Sequence, residues 1–335
     1  MYLTHDTDEI TYSDFINKEL ILFSVADNVR SIPSVCDGLK HGQRKVIWGC
    51  FKRKLKKEIK VRPTQPSALL AHGCLLLLQV EQLVGYISER AAYHHGEQSL
   101  TMTIVNLAQD YIGSNNLNLL LPNGQFGTRD QGGKDRASAR YIFTELSPIT
   151  RTIFHPDDDP LLNYLKDDND PIEPEHYLPI LPMVLINGAE GIGTGWSTNI
   201  PCYNPEDIVT NIRLLMDGKE QVPMLPWWRG FRGTVKKIAE HKYHVTGTVR
   251  KINDTIVEIT ELPIHKWTQN YKAELEAMIG EKNDGPVKVI RKPSSRGFYL
   301  RFFIGLQRAS RHQKCPFCGH HDRQRARGGG EEGSH

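Results

Sequence analysis

The 335-residue sequence predicts an α+β fold, helix-rich in its first half and strand-rich in its second. Apolar residues recur at helical spacing over residues 12–30 and again over 93–112. Strict alternation takes over in YHVTGTV (243–249) and TIVEITEL (255–262), the period of a β-strand. Between these regions, from residue 151 onward, short apolar pieces alternate with Pro and Gly turns.

The first helix, residues 12–30, carries the periodic apolar set Phe15, Ile16, Leu20, Ile21, Leu22, Phe23 and Val25, with Ser13 and Asp14 as cap candidates. Pro33, Asp37-Gly38 and Gly42 break the chain after it. A second helix follows in RKVIWGCFKRKLKKEI (44–59), apolar at Val46, Ile47, Phe51 and Leu55 and basic elsewhere. Helix, turn and basic helix suit a helix-turn-helix or winged-helix unit, although any αα-hairpin has the same outline. RPTQPSALLAHGCLLLLQ (62–79) interrupts this pattern with a Pro-rich start and a leucine block of no clear period. The helix of 93–112 starts near Gly96 and Glu97 and runs into the polar loop SNNLNLLLPNGQFGTRDQGGKD. RYIFTELSPITRTIF (140–154) reads as strand or helix. LPILPMVLINGAEGIGTGWSTNIP (178–201) is an apolar run leading into a glycine-rich loop, and TQNYKAELEAMIGEK (268–282) is a helix. The tail from 286 is poor in apolar residues after 308 and is expected to lack a packed core.

Charge narrows the partners. The net charge is only +3, yet residues 40–62 are dense in Lys and Arg with Glu58 as their one acid, while 157–175 is strongly acidic. A directed basic patch suits a polyanion, and an ordinary solvated helix face fits equally well on charge alone. MYLTHDTDEITYSDF has no apolar run of a secretory leader. LLAHGCLLLLQ (69–79) falls short of the roughly 20 residues that span a bilayer, so no membrane partner is expected. The six scattered cysteines read as reduced thiols. CPFCGHH (315–321) offers half of a zinc site, and a second separated ligand pair is missing.

From the residues alone, Tyr141 in RASARYIFTEL is a packing tyrosine beside a solvated cation, Arg140. Four longer motifs change that weighting: SIPSVCDGLKHGQRKV, YHHGE, GSNNLNLLLPNGQFGTRDQGGKDRASARYIFTEL and PMVLINGAEGIGTGWSTNIP. Together they resemble the DNA breakage–rejoining region of the eukaryotic type II DNA topoisomerases, from about Tyr12 to about Lys282 apart from 62–79. The resemblance implies a winged-helix DNA-cleavage domain over 10–150, a strand-rich tower domain over 151–285 and a divergent tail over 286–335.

The resemblance makes Tyr141 the nucleophile. Its phenolate would attack a backbone phosphorus, form a 5′-phosphotyrosyl link and release a 3′-hydroxyl. It places Arg140 as the charge stabiliser, with Arg30 and His95 further candidates around the phosphate. Lys40, Arg44, Lys45, Tyr93 and Ser99 become contacts to duplex DNA, fixing register without reading sequence. Ile192 becomes an apolar wedge between base pairs. Two positions depart from the family: Ala139 stands where it has Pro before the arginine, and His41 where it has Pro after the lysine.

The family implies Mg²⁺ and ATP for the complete enzyme, a homodimer and a nuclear location. Neither the metal-binding TOPRIM motifs nor the ATPase site is found in this sequence, so the fragment is expected to bind neither cofactor. The alternative is a catalytically incomplete DNA-binding module. Deleting roughly 62–79 restores the family spacing KEIKVEQLVGYISERAAYHHGE, which points to a retained intron or similar insertion.

Overall fold

The computed structural model describes residues 9–53, 78–93, 95–253 and 256–278, and the backbone of 287–291 and 300–304. The chain forms two compact units. The first holds residues up to Phe231 together with Trp267–Asn270; the second holds Arg232–Lys266 and the chain from Tyr271. Residues 151–231 thus pack within the first unit.

Three helices supply much of the first unit's core: α3 (His41–Lys52), α4 (Val80–Arg90) and α5 (Glu97–Ala108). In α4, Val80, Leu83, Val84 and Ile87 are buried, an i, i+3, i+4, i+7 stripe. In α5, Leu100, Ile104, Leu107 and Ala108 lie on one face at i, i+4, i+7 and i+8. Each of these valines, leucines and isoleucines contributes about 1.5–3 kcal/mol by leaving water. The α4 stripe follows directly on the leucine block, whose lack of period hides the start of the helix in the sequence.

The predicted first helix is present in three contiguous parts: α1 (Tyr12–Asp14), a π-helical stretch Phe15–Leu20, and α2 (Ile21–Ser31). Its apolar set is not buried; none of these segments contains a buried residue. The cap also differs. The helix begins at Tyr12, so Thr11 becomes the cap and accepts the Asp14 N–H at 3.1 Å. Asp14, inside the first turn, pairs with Lys18 at 2.6 Å instead. For the second helix, residues 44–52 are observed within α3, and 54–59 lie outside the described residues.

The first unit's strands are short antiparallel pairs: β1 (Leu78–Gln79) with β2 (Phe143–Thr144), β3 (Tyr164–Asp167) with β4 (Asp170–Pro174), and β5 (Ala189–Ile192) with β6 (Ser197–Ile200). Two short helices, α6 (Thr150–Ile153) and α7 (Met183–Ile186), and the longer α8 (Pro205–Met216) complete it. The glycine-rich loop predicted at 188–196 is therefore mostly the β5–β6 hairpin.

In the second unit, β7 (Thr234–Ala239) pairs with β8 (Lys242–Thr246). The single alternating run YHVTGTV divides at Gly247, because β9 (Thr248–Lys251) pairs instead with β10 (Ile256–Glu261). The helix predicted at 268–282 is observed as α9 (Thr268–Ala277). The expected tail from 286 needs correction. β11 (Val287–Arg291) and β12 (Leu300–Ile304) complete an antiparallel sheet of order β11-β12-β10-β9. The β-branched alternation of VKVIR and the apolar run LRFFI explain why these segments pair. Cys74, the CPFCGHH segment and most of 62–79 lie outside the described residues.

Candidate functional site

Tyr141 ends a 3₁₀ turn, Ala139–Tyr141, closed by its own N–H donating to the Ser138 carbonyl at 2.9 Å. The turn is held from two sides. On one, Val80 N–H donates to the Ile142 carbonyl at 3.0 Å, β1 pairs Leu78 with Thr144 and Gln79 with Phe143, and the Gln79 amide donates to the Arg140 carbonyl. On the other, Asn123 and Phe143 exchange N–H···O bonds at 3.1 and 2.9 Å, and Leu121 N–H reaches the Glu145 carbonyl at 2.9 Å. Ile142 is fully buried between them. This alternation turns the neighbouring Tyr141 outward, where it is 70% exposed, with Arg140 also exposed beside it. A tyrosine kept for packing would be inside; this one stands in solvent on a backbone hydrogen-bonded from both sides.

The loop before the turn is tied by Asp135, which accepts the Thr128 N–H at 2.8 Å and its hydroxyl at 2.6 Å. Partial burial pushes the Asp135 carboxyl up, but those two bonds and its own backbone N–H together hold it below the ordinary range.

The basic helix departs from the sequence expectation. Arg44 and Lys45, expected on DNA, are 6% and 4% exposed. The Arg44 guanidinium grips Asp37 with Nε at 2.8 Å and Nη2 at 3.1 Å, and donates to the Leu39 carbonyl at 3.0 Å. The fully buried Asp37 also accepts the N–H groups of Leu39 and Tyr177, at 3.0 and 2.9 Å. Lys45 reaches the fully buried Glu173 on β4 at 2.8 Å and donates to the Ala91 carbonyl. His41 approaches the same carboxylate at 3.0 Å. Burial raises the Glu173 carboxyl, but the His41 and Lys45 bonds and the Lys45 charge leave it lowered on balance. Both cations therefore act as internal struts of the loop and helix. Lys40, half-buried at the helix start, donates its backbone N–H to Gln43 at 2.8 Å.

Tyr93 is buried, and its hydroxyl donates to Ser99 at 3.1 Å. Its ring meets His95 edge-on at a centroid distance of 5.5 Å. His95 and Ser99 themselves are exposed. Tyr93 therefore positions two exposed polar groups more than it offers a surface of its own.

Ile192 is 79% exposed at the end of β5. The hairpin tip is clipped to α2, the helix that carries Arg30. Thr194 donates its hydroxyl to Asp27 at 2.7 Å, and the Asn28 amide donates to the Thr194 carbonyl at 3.3 Å. Hydrogen bonds from Thr194 and Ser31 hold the Asp27 carboxyl below its ordinary range. A Cβ on Gly191 would lie 2.4 Å from the Ser31 carbonyl oxygen, and one on Gly193 2.1 Å from Asn28 Oδ1, so only glycine permits this approach.

These contacts assemble three groups: Arg140 with Tyr141, Tyr93 with His95 and Ser99, and the Arg30 helix with the Ile192 hairpin. Sequence spacing missed Asp37, Glu173 and Asp27, whose partners lie up to 167 residues away. The one local signal was Asp37-Gly38, which reads as a turn. Among the described residues, no three His, Cys, Asp or Glu side chains are placed together to hold a metal ion, and no helix is long and apolar enough to cross a membrane. Cys36, Cys50 and Cys202 are free thiols, and burial pushes Cys50 and Cys202 up to about 12.

The family profile for the A subunits of DNA gyrase and topoisomerase IV matches residues 30–67 and 77–316, leaving out 68–76. DNA topoisomerase 2 of Candida albicans is 55% identical over 285 residues, covering 85% of this chain and 18% of that protein. DNA topoisomerase 2-alpha of Sus scrofa is 56% identical over 281 residues, 84% of this chain and 17% of that protein. The chain thus spans under a fifth of the length of these relatives. A crystal structure of the Plasmodium falciparum topoisomerase II DNA-binding, cleavage and re-ligation domain matches with a TM-score of 0.79 and 44% identity, over 91% of this chain and 39% of that one.

Proposed function

The chain belongs to the DNA gyrase/topoisomerase IV family, and on that premise we propose that it is the tyrosine-bearing part of a type II DNA topoisomerase. It binds duplex DNA, and in the assembled homodimeric enzyme it makes and reseals transient breaks in the nucleus. The observation that carries this is the Arg140–Tyr141 turn: an exposed phenol and guanidinium on a backbone pinned from both sides.

The chemistry follows from those two groups. Tyr141 attacks a backbone phosphorus, and the bond to the 3′ oxygen breaks as the bond to the phenolic oxygen forms. The 3′-hydroxyl takes up the proton. The 5′-phosphotyrosyl link retains the phosphodiester energy, so the reverse attack reseals the strand. A free phenol has a pKa near 10, so its proton must leave during attack. Arg140 lies next in the chain and neutralises charge on the pentacoordinate phosphorus. Arg30 and His95 serve the same phosphate, Lys40 and Ser99 hold the backbone, and Ile192 opens a base step to bend the duplex. Magnesium would neutralise phosphate charge in such a reaction, and ATP would drive strand passage. Among the described residues, no three His, Cys, Asp or Glu side chains are placed together to hold that ion.

Covalent capture tests this. The chain is mixed with supercoiled DNA and Mg²⁺, with and without a polypeptide carrying the family's metal-binding domain, and then denatured. An adduct that needs both the partner and Tyr141 supports the reading. An adduct that survives Tyr141→Phe refutes it, and no adduct under either condition leaves the DNA-binding module alone.

A further inference from the structure

We infer that Trp196 is a second DNA-contacting group of the β5–β6 hairpin, laying its indole against a deoxyribose beside the base step that Ile192 opens; this rests on the wedge role given to Ile192 above. Trp196 is 72% exposed, whereas Trp48 and Trp228 are buried and Trp227 and Trp267 half-buried. Of the five tryptophans, it is the one presented to solvent. It shares the hairpin tip with Ile192, so the tip carries two large exposed apolar groups rather than a single scattered one.

The hairpin holds both groups still. Ile192 pairs with Ser197, and Gly193 N–H donates to the Trp196 carbonyl at 2.9 Å, leaving Thr194 and Gly195 as the turn. Thr194 is bonded to both Asp27 and Asn28 of α2. A side chain presented from such a clipped turn loses little further backbone freedom on binding.

Register sets the geometry. Successive strand positions face opposite sides, so Ile192 and Trp196 leave the hairpin on opposite faces. Neighbours across a ladder lie roughly 5–8 Å apart, about two base-pair rises of 3.4 Å. With Ile192 in one step, the indole therefore meets the sugar–phosphate wall beside that step, not the step itself. The carbon face of a deoxyribose suits the indole face, and Nε1–H, a donor only, suits a phosphate oxygen. The surroundings suit a phosphate backbone: Arg30 is exposed on the supporting helix, and Ser197 and Asn199 are exposed on the Ile192 face of the hairpin. The nearby acids do not oppose this strongly. Asp27 is engaged by Thr194, and Glu190, paired with Asn199, lies on the Ile192 face of the hairpin, opposite that of Trp196.

The test uses the chain and a roughly 30-base-pair duplex carrying a donor and an acceptor dye at its ends. Affinity is read by anisotropy and bending by energy transfer, for the native chain, Ile192→Ala, Trp196→Ala and Trp196→Phe. We expect Trp196→Ala to weaken binding about tenfold, at the low end of what an aromatic side chain contributes by stacking on a base, and to lower the bent fraction. Trp196→Phe should retain most of both. In the native chain, DNA should protect the exposed tryptophan from acrylamide quenching, a readout that needs no variant. If Ile192→Ala loses bending while Trp196→Ala binds and bends like the native chain, Trp196 is not a contact and the wedge reading stands. If the native chain does not bend DNA, the wedge reading fails and this inference falls with it. Unchanged acrylamide quenching on DNA also overturns it and returns the exposed indole to a protein partner.

Discussion

Replacing Asp37 with Ala would expose the different role that the structure gives to the basic helix. Asp37 is fully buried and accepts four hydrogen bonds, two of them from Arg44. Asp37→Ala leaves the Arg44 charge buried, with only the Leu39 carbonyl to receive it. Breaking a buried pair from one side costs about 3–5 kcal/mol. Arg44→Met removes the other partner and strands the Asp37 carboxylate at a similar cost. The double variant should cost clearly less than the sum, because neither charge is then left unpaired. Urea unfolding followed by tryptophan emission measures this as a lower midpoint at constant slope. The same proteins can be titrated with DNA across a salt series. If Arg44 is internal, the slope of log K against log[salt] in Arg44→Met stays unchanged, provided the protein is folded. A slope reduced by about one, with stability unaffected, would show instead that Arg44 touches a phosphate and that the buried pairing is wrong.

Other outcomes follow from the same geometry. Lys40→Gln, at the half-buried helix start, should lower the salt slope by about one and leave the urea midpoint near that of the native chain. Gly132 has φ +65°, and a Cβ there would lie 2.3 Å from the Trp267 ring; Gly132→Ala should cost roughly 1–3 kcal/mol and shift Trp267 emission, and an unchanged midpoint would contradict that packing. Glu173 is held below its ordinary 4.5 in the fold. Its stabilisation is therefore complete above pH 4.5 and lost as pH falls through the lower folded value. Glu173→Gln should be less stable than the native chain above pH 4.5 and show a shallower acid loss; parallel acid limbs would deny Glu173 that part. Tyr141→Phe should leave the urea midpoint unchanged, since Tyr141 is 70% exposed, and a clearly lower midpoint would mean that its hydroxyl is bonded within the fold.

What could be read in advance divides by range. α2, α5, β10 and α9 follow from local period and turn residues, and each lies close to its predicted place. α4 does not, because the leucine block before it offers no boundary. The stretch YHVTGTV looks like one strand, since alternation cannot say that its two halves serve different partners. Arg44 and Lys45 at a helix start are indistinguishable from surface cations. Their burial depends on Asp37 and on Glu173, the latter 128 residues from Lys45, and no local pattern encodes such a pairing. Tyr141 is the opposite case. Its neighbours Ile142 and Thr144 are buried, so strand alternation predicts that it faces outward, but whether an outward tyrosine reacts is a matter of chemistry that only the surrounding motifs addressed.

The central claim is that Tyr141 becomes joined to a 5′ phosphate. A trapped complex formed with the metal-bearing partner can be digested with nuclease and trypsin and the peptides weighed. Cleavage after Arg140 releases YIFTELSPITR, residues 141–151. This peptide should carry a nucleotide on Tyr141 through its 5′ phosphate. A nucleotide on another residue, or a link through a 3′ phosphate, would contradict it.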